Sequence, residues 1–302
     1  MTNTMSLFHG LSAFPLTPTD TAGTVHGATL CRFLDRIIAA KADSIGLLGS
    51  TGGYAYLSRE QRQEAVRVAV DHVGGRVPVI VGVGSLRTDA AVALAQDAKA
   101  AGADGLLLAP MSYTPLTDEE VHQHFAAVAE AGELPLCIYN NPGTTRFTFT
   151  EDLIARLAKL PHVAAVKMPL AANGAYAGEL ARLRTLTPEG FAIGYSGDWG
   201  AADALLAGCD TWYSVIAGFL PAPALALTRA AQAGHAAEVR RIDGAFSPLW
   251  ELFKAHGSFR VMFMIAEVLE LTTIQPPRPI LPLPKTERRA VEAALKTLEG
   301  IR

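Results

Sequence analysis

Val163-Ala164-Ala165-Val166-Lys167-Met168-Pro169 is a short apolar run with a single cation near its end. It shows no strict polar alternation, so it reads as a strand covered on both faces, as in a parallel sheet. Seven further runs of this kind are spaced along the chain: Leu11–Thr17, Ser44–Ser50, Pro78–Gly84, Gly105–Pro110, Pro135–Asn141, Phe191–Gly197 and Thr211–Ala217. The stretches between them carry helical spacing and helix-start signals. Ser58-x-Glu60, Thr88-Asp89, Thr117-Asp118-Glu119-Glu120 and Thr150-Glu151-Asp152 each place an acid in a first helical turn, where the helix dipole favours it. Eight strands alternating with helices predict an α/β protein, a (β/α)8 TIM barrel. The runner-up, a doubly wound open sheet, would normally show a phosphate loop after its first strand.

From about His235 the pattern changes. Ala236–Ala255, Phe259–Leu271 and Thr286–Gly300 read as helices with no strand between them, and the link from Gln275 to Pro284 is too proline-rich for regular structure. The expected organisation is a barrel carrying the active site over residues 1–234 and a C-terminal helical region over 235–302.

Composition narrows the function classes. Of 302 residues, 50% are hydrophobic and 18% charged, enough for a large core and too apolar for disorder. The net charge is −3 and no basic run stands out, which argues against nucleic acid or an anionic membrane as a partner. No apolar run approaches the roughly 20 residues of a membrane helix. The opening residues, Met1 to Gly10, lack the features of a secretion signal. Cys31, Cys137 and Cys209 are far apart and read as buried thiols of a reducing compartment. A cytoplasmic globular protein is expected.

Chemistry in such a barrel sits at the C-terminal ends of the strands. The polar residues of this chain gather there: Gly49-Ser50-Thr51-Gly52-Gly53, Met111-Ser112-Tyr113, Tyr139-Asn140-Asn141-Pro142, Lys167 and Ser196-Gly197-Asp198. By position alone, Lys167 reads first as a surface residue just past a strand; the clustering argues for a site. Burial disfavours an ammonium ion and leaves a nucleophilic amine, as imine formation on a ketone requires. Tyr139, on the neighbouring strand end, offers a proton carrier. The glycine turn reads either as a tight connection or as a nest of N–H groups and hydroxyls for a carboxylate or phosphate. No lysine follows its glycines, so it is not a nucleotide P-loop, and Gly82-Val83-Gly84 lacks the third glycine of a dinucleotide fingerprint. The eight histidines are scattered. His122 and His124 point to different faces of one predicted helix and read as surface residues rather than metal ligands.

Taken in order, the Gly-Ser-Thr-Gly turn, Tyr139-Asn140-x-Pro142 and Lys167, 28 positions after Tyr139, resemble the dihydrodipicolinate synthase / N-acetylneuraminate lyase family. Leu16-Thr17-Pro18, Leu57-Ser58-x-Glu60 and Arg278-Pro279 extend the resemblance over nearly the whole chain. It implies a class I aldolase-like lyase with no separate cofactor and no metal, commonly a homotetramer. Lys167 would form an imine with pyruvate or another 2-oxo acid, and Tyr139 would shuttle protons. Ser50 and Thr51 would hold the substrate carboxylate, Ser50 also relaying a proton to Tyr139. Tyr213 would contact the pyruvyl group.

The chain departs from the family pattern at four places. Gly53 stands where the turn usually continues with Glu. Met111 and Ser112 stand where synthase members carry paired tyrosines, with Tyr113 one position later as a possible substitute. Thr144 stands where synthases carry an arginine for the second substrate's carboxylate, the first arginine here being Arg146. Met168-Pro169 follows Lys167 where an acidic residue is frequent. These departures shift the expectation towards a relative acting on another 2-oxo acid (a sugar-acid aldolase, dehydratase or deaminase), with the lysine-pathway synthase as the alternative. A barrel that binds a 2-oxo acid without catalysis is the reading from another class.

Overall fold

The computed structural model describes residues 7–301; residues 1–6, which open the segment read as lacking a secretion signal, lie outside the described residues. Eight parallel strands close in sequence order: β1 (Gly10–Ala13), β2 (Ser44–Leu47), β3 (Val79–Gly82), β4 (Gly105–Leu108), β5 (Leu136–Tyr139), β6 (Val163–Met168), β7 (Ala192–Tyr195) and β8 (Thr211–Ser214). β8 pairs with β1, so the sheet has no free edge and the barrel reading stands over the open sheet. The strands are shorter than the apolar runs. The pairing stops while the chain is still apolar or small, and the residues of each run that follow its strand enter the loops at the barrel mouth.

Seven helices return the chain from one strand to the next, α1 (Gly27–Ala40), α2 (Arg59–Val73), α3 (Thr88–Ala100), α4 (Asp118–Gly132), α5 (Glu151–Leu157), α6 (Tyr176–Leu186) and α7 (Ala201–Leu206), and α8 (Pro221–Gln232) follows β8. Three start signals are used as caps. Ser58 accepts from the Gln61 N–H, Thr117 from Glu120 and Thr150 from Leu153, each worth about 1 kcal/mol. Thr88 is the exception. It is the first residue of α3, and its hydroxyl bonds His124 Nδ1 at 3.0 Å instead of capping the helix.

That contact corrects the reading of His124. It is 7% exposed, packed edge-on against Phe125, and burial lowers its pKa. Of the cysteines, Cys137 is buried and Cys31 and Cys209 are half-buried; all three are free. Burial pushes the Cys137 thiol up to about 12, which keeps it un-ionised and unreactive.

After the barrel come α9 (Ala236–His256), α10 (Ser258–Val268) and α11 (Arg288–Lys296), joined by the irregular proline-rich link. α9 packs against α8 and α7, and it presents Phe253 to the barrel mouth. No helix among the described residues is long and apolar enough to cross a membrane.

Candidate active site

The barrel interior is a column of side chains that includes Phe14, Leu107, Cys137, Tyr139 and Tyr213. Two glycines make it possible. A Cβ on Gly46 would lie 2.2 Å from the Phe14 ring, and one on Gly194 would lie 2.6 Å from the Tyr213 ring. Backbone without side chains on β2 and β7 is therefore what admits two aromatic rings into the barrel.

Lys167 stands on top of this column. It lies in register with Tyr139 on β5 and Gly194 on β7, so the parallel ladder puts the lysine and the tyrosine side by side, facing inward. The residue is 4% exposed. Its Nζ lies 4.0 Å from the centre of the Phe14 ring, 4.3 Å from that of Tyr139 and 5.5 Å from that of Tyr213. Among the described residues no carboxylate forms an ion pair with it. A lysine packed on aromatic faces, with no carboxylate within ion-pair distance, is poorly solvated, and its nitrogen can reach a carbonyl placed above it.

Tyr139 is held from two sides. The Asn141 side-chain amide donates to its hydroxyl oxygen at 2.9 Å, and the Ser50 hydroxyl lies 3.2 Å away. Because Asn141 fills an acceptor position on that oxygen, the phenolic proton is directed to Ser50 or into the cavity. Ser50 comes from the glycine turn after β2, so a hydrogen bond links that turn to the tyrosine beside the lysine.

These groups open into a cavity of about 490 Å³, lined on the polar side by Ser50, Thr51, Tyr139, Asn141 and Lys167 and on the other by Trp199, Phe253 and Phe259. Asp198 also lines it, 2% exposed. Its carboxylate accepts from Trp212 Nε1 at 3.0 Å and from the Val215 and Ile216 N–H groups at 3.2 and 2.8 Å. Burial pushes this carboxyl up to about 6, against those three donors and the Lys167 cation, which act the other way. No cluster of His, Cys, Asp or Glu that could hold a metal occurs among the described residues.

Four of the residues singled out in the sequence, Lys167, Tyr139, Ser50 and Thr51, meet in this cavity. Two do not. Tyr213 is 1% exposed beneath Lys167, with its hydroxyl 3.4 Å from Cys137 Sγ, so its ring lies in the column under the lysine and not in the cavity lining. Tyr113 is 97% exposed, on the β4 loop and away from the cavity lining. Phe14, Asn141 and the aromatic cover from α9 and α10 were not singled out. Asn141 stood within the Tyr-Asn-Asn-Pro run, whereas nothing local marks Phe14 or Phe253 as more than core.

A closed barrel whose mouth holds a buried lysine beside a hydrogen-bonded tyrosine has the layout of enzymes that work through a lysine imine. The chain belongs to the dihydrodipicolinate synthetase family, whose model matches residues 7–298. A 4-hydroxy-tetrahydrodipicolinate synthase of Neisseria meningitidis serogroup B is 33% identical over 93% of this chain and 95% of that protein. The crystal structure of dihydrodipicolinate synthase from Agrobacterium tumefaciens is 59% identical, with a TM-score of 0.97, covering 98% of this chain and 100% of that one. A chloride-inhibited dihydrodipicolinate synthase from Acinetobacter baumannii, solved with pyruvate, is 28% identical with a TM-score of 0.86, over 98% and 100% of the two chains. Enzymes of this family are class I Schiff-base aldolases, and this chain is a lyase of that kind. In the family the covalent lysine–pyruvate imine serves where other lyases use a separate cofactor.

Proposed function

We propose that Lys167 forms the imine and that its keto substrate is pyruvate or a close 2-oxo acid. The observation that carries this reading is the position of Lys167 Nζ, 4.3 Å from the centre of the Tyr139 ring with no acid among the described residues paired to it, at the floor of a cavity walled by Ser50 and Thr51. The amine adds to the ketone carbon. Tyr139, supplied through Ser50, protonates the carbinolamine hydroxyl, which leaves as water. The resulting iminium draws electrons from the α-carbon, so a C–C or C–O bond next to it can form or break. Thr51 and the turn amides hold the carboxylate, which fixes the ketone over the amine.

The names of the relatives favour the more specific reaction, condensation of pyruvate with aspartate semialdehyde by a 4-hydroxy-tetrahydrodipicolinate synthase, over the broader expectation of another 2-oxo-acid lyase. Against it, Thr144 lines the cavity and no arginine among the described residues does, so these residues of one protomer offer the second carboxylate no guanidinium. Tyr113 would complete a proton relay only from a neighbouring protomer, which a homotetramer in the cytoplasm would supply.

Borohydride reduction in the presence of pyruvate tests the imine: a pyruvyl mass on the peptide containing Lys167 is expected, and its absence with pyruvate and with a panel of 2-oxo acids would remove the proposal. Turnover with aspartate semialdehyde then separates the synthase from the other lyases, and light scattering measures the assembly.

A further inference from the structure

On the far side of the glycine turn lies a second and larger hollow, a groove of about 690 Å³ between the β1 loop, the turn itself and the link after α10. It shares the wall formed by Thr51 and Phe259 with the lysine cavity. Its floor is apolar: Phe259, Phe263, Leu57 and Ile274. Gly53 opens it. The backbone there has φ +65°, and a Cβ would meet only the Phe259 ring, at 3.5 Å. A glutamate at this position, as in the family pattern, would occupy space that this chain leaves free.

The polar groups around the groove are mostly unused donors. Arg278 has no hydrogen-bond or ion-pair partner among the described residues, and the same holds for the His26 ring. The Thr17 hydroxyl is buried without a partner, in a residue only 7% exposed, next to the Gly52 backbone. The one acid at the rim, Asp20, already accepts from the Ala22 and Thr24 N–H groups of its own turn at 2.8 and 2.9 Å, which partly satisfies its charge. A free guanidinium with five donors, beside an aromatic floor, suits a carboxylate attached to an apolar body.

We propose that this groove is a second ligand site, taking a small organic carboxylate with its charge on Arg278 and its apolar part against Phe259, and that it is coupled to the lysine cavity through Thr51-Gly52-Gly53. The coupling rests on the function proposed above; the binding does not. The turn presents one face to each hollow, so a ligand that fixes it on one side changes the cost of ordering it on the other, and the effect is reciprocal.

The test fills the lysine cavity first, by reducing the pyruvate imine with borohydride, and then titrates the modified enzyme with benzoate, 4-methylpentanoate and inorganic phosphate by calorimetry. Both organic acids are expected to bind once per chain, and phosphate much more weakly. Arg278→Gln, an exposed position where folding is not at stake, should weaken the organic acids about tenfold, the effect of losing one charge-assisted hydrogen-bonding partner. Gly53→Asn should weaken them as well, since asparagine tolerates positive φ and its side chain takes up groove volume. In unmodified enzyme, benzoate should shift the half-saturating pyruvate concentration for imine formation about threefold or more, and Arg278→Gln should remove the shift. No binding at millimolar concentrations, or affinity unchanged in Arg278→Gln, overturns the site. Phosphate binding as well as benzoate overturns the ligand class, and binding without a pyruvate shift overturns the coupling. If no pyruvyl mass appears, the function proposal fails on that measurement alone, and the titration proceeds on unmodified enzyme.

Discussion

The barrel mouth has two kinds of wall, and they differ in what holds the side chains. Along β5 and β6, Tyr139 and Lys167 are strand residues in register, 5% and 4% exposed, each fixed by the ladder and by rings or hydrogen bonds beneath it. Along the β4 loop, Tyr113 is 97% exposed and touches nothing that sets its direction. Strand residues inherit their geometry from the sheet; loop residues acquire theirs from whatever packs on the loop, here a second copy if one is present. On the proposed reading, the imine step falls on the strand-held wall, whereas the relay and the second substrate depend on loops.

The contrast can be broken first at the lysine. Lys167→Ala removes the nucleophile, so no borohydride-trapped adduct and no measurable turnover are expected; an adduct at full yield on another lysine would show that β6 does not carry the chemistry. Tyr139→Phe keeps the ring packing under Lys167 but deletes the proton, and kcat should fall by a factor of about 10² to 10⁴, the usual range for a lost general acid–base group. Unchanged kcat would assign the phenol to packing alone.

Asp198, in the turn after β7, tests a buried charge at the same mouth. Its carboxyl is raised from 3.8 to about 6 by burial, so the native state holds a proton that the unfolded chain has released. Between those values the native state binds more protons, and stability should fall as pH rises through about 4 to 6. Asp198→Asn should flatten that slope in urea titrations at several pH values while lowering stability overall, because three donors lose their charged acceptor. A slope as steep as in the parent would assign it to another group.

Ser50→Ala leaves Tyr139 bonded to Asn141 and should cost about tenfold in turnover, the scale of one hydrogen bond. The smallest effect is expected at the loop. In dilute enzyme that has dissociated, Tyr113→Phe should change kcat less than about twofold, whereas in an assembled enzyme a larger loss would show that a partner surface gives this tyrosine a direction.

Much of this was legible along the chain. Eight apolar runs separated by helical stretches specified a barrel because parallel strands buried on both faces carry no alternation, and few other folds repeat that pattern eight times. Lys167, Tyr139, Ser50 and Thr51 stood out because polar residues at the ends of apolar runs are costly unless used. His124 was misread because helical spacing tells which face a residue occupies and not what covers that face; Thr88 and Phe125 bury it. Tyr213 was matched to a substrate contact by its position in the family pattern, but inward residues of a barrel stack in layers, and its ring lies one layer down.

The sequence by itself determined the strand and helix order and the caps at Ser58, Thr117 and Thr150, and it singled out Lys167 and Tyr139 as candidates, because these depend on local periodicity and on residue type. The three-dimensional structure decided what those residues meet. Phe14 reaches under Lys167 only because Gly46, over thirty residues later, lacks a side chain, and Phe253 and Phe259 cover the mouth only because the last helices fold back on it. Barrel closure brings distant positions within a few ångströms, and that proximity is a property of the closed sheet rather than of any stretch of chain.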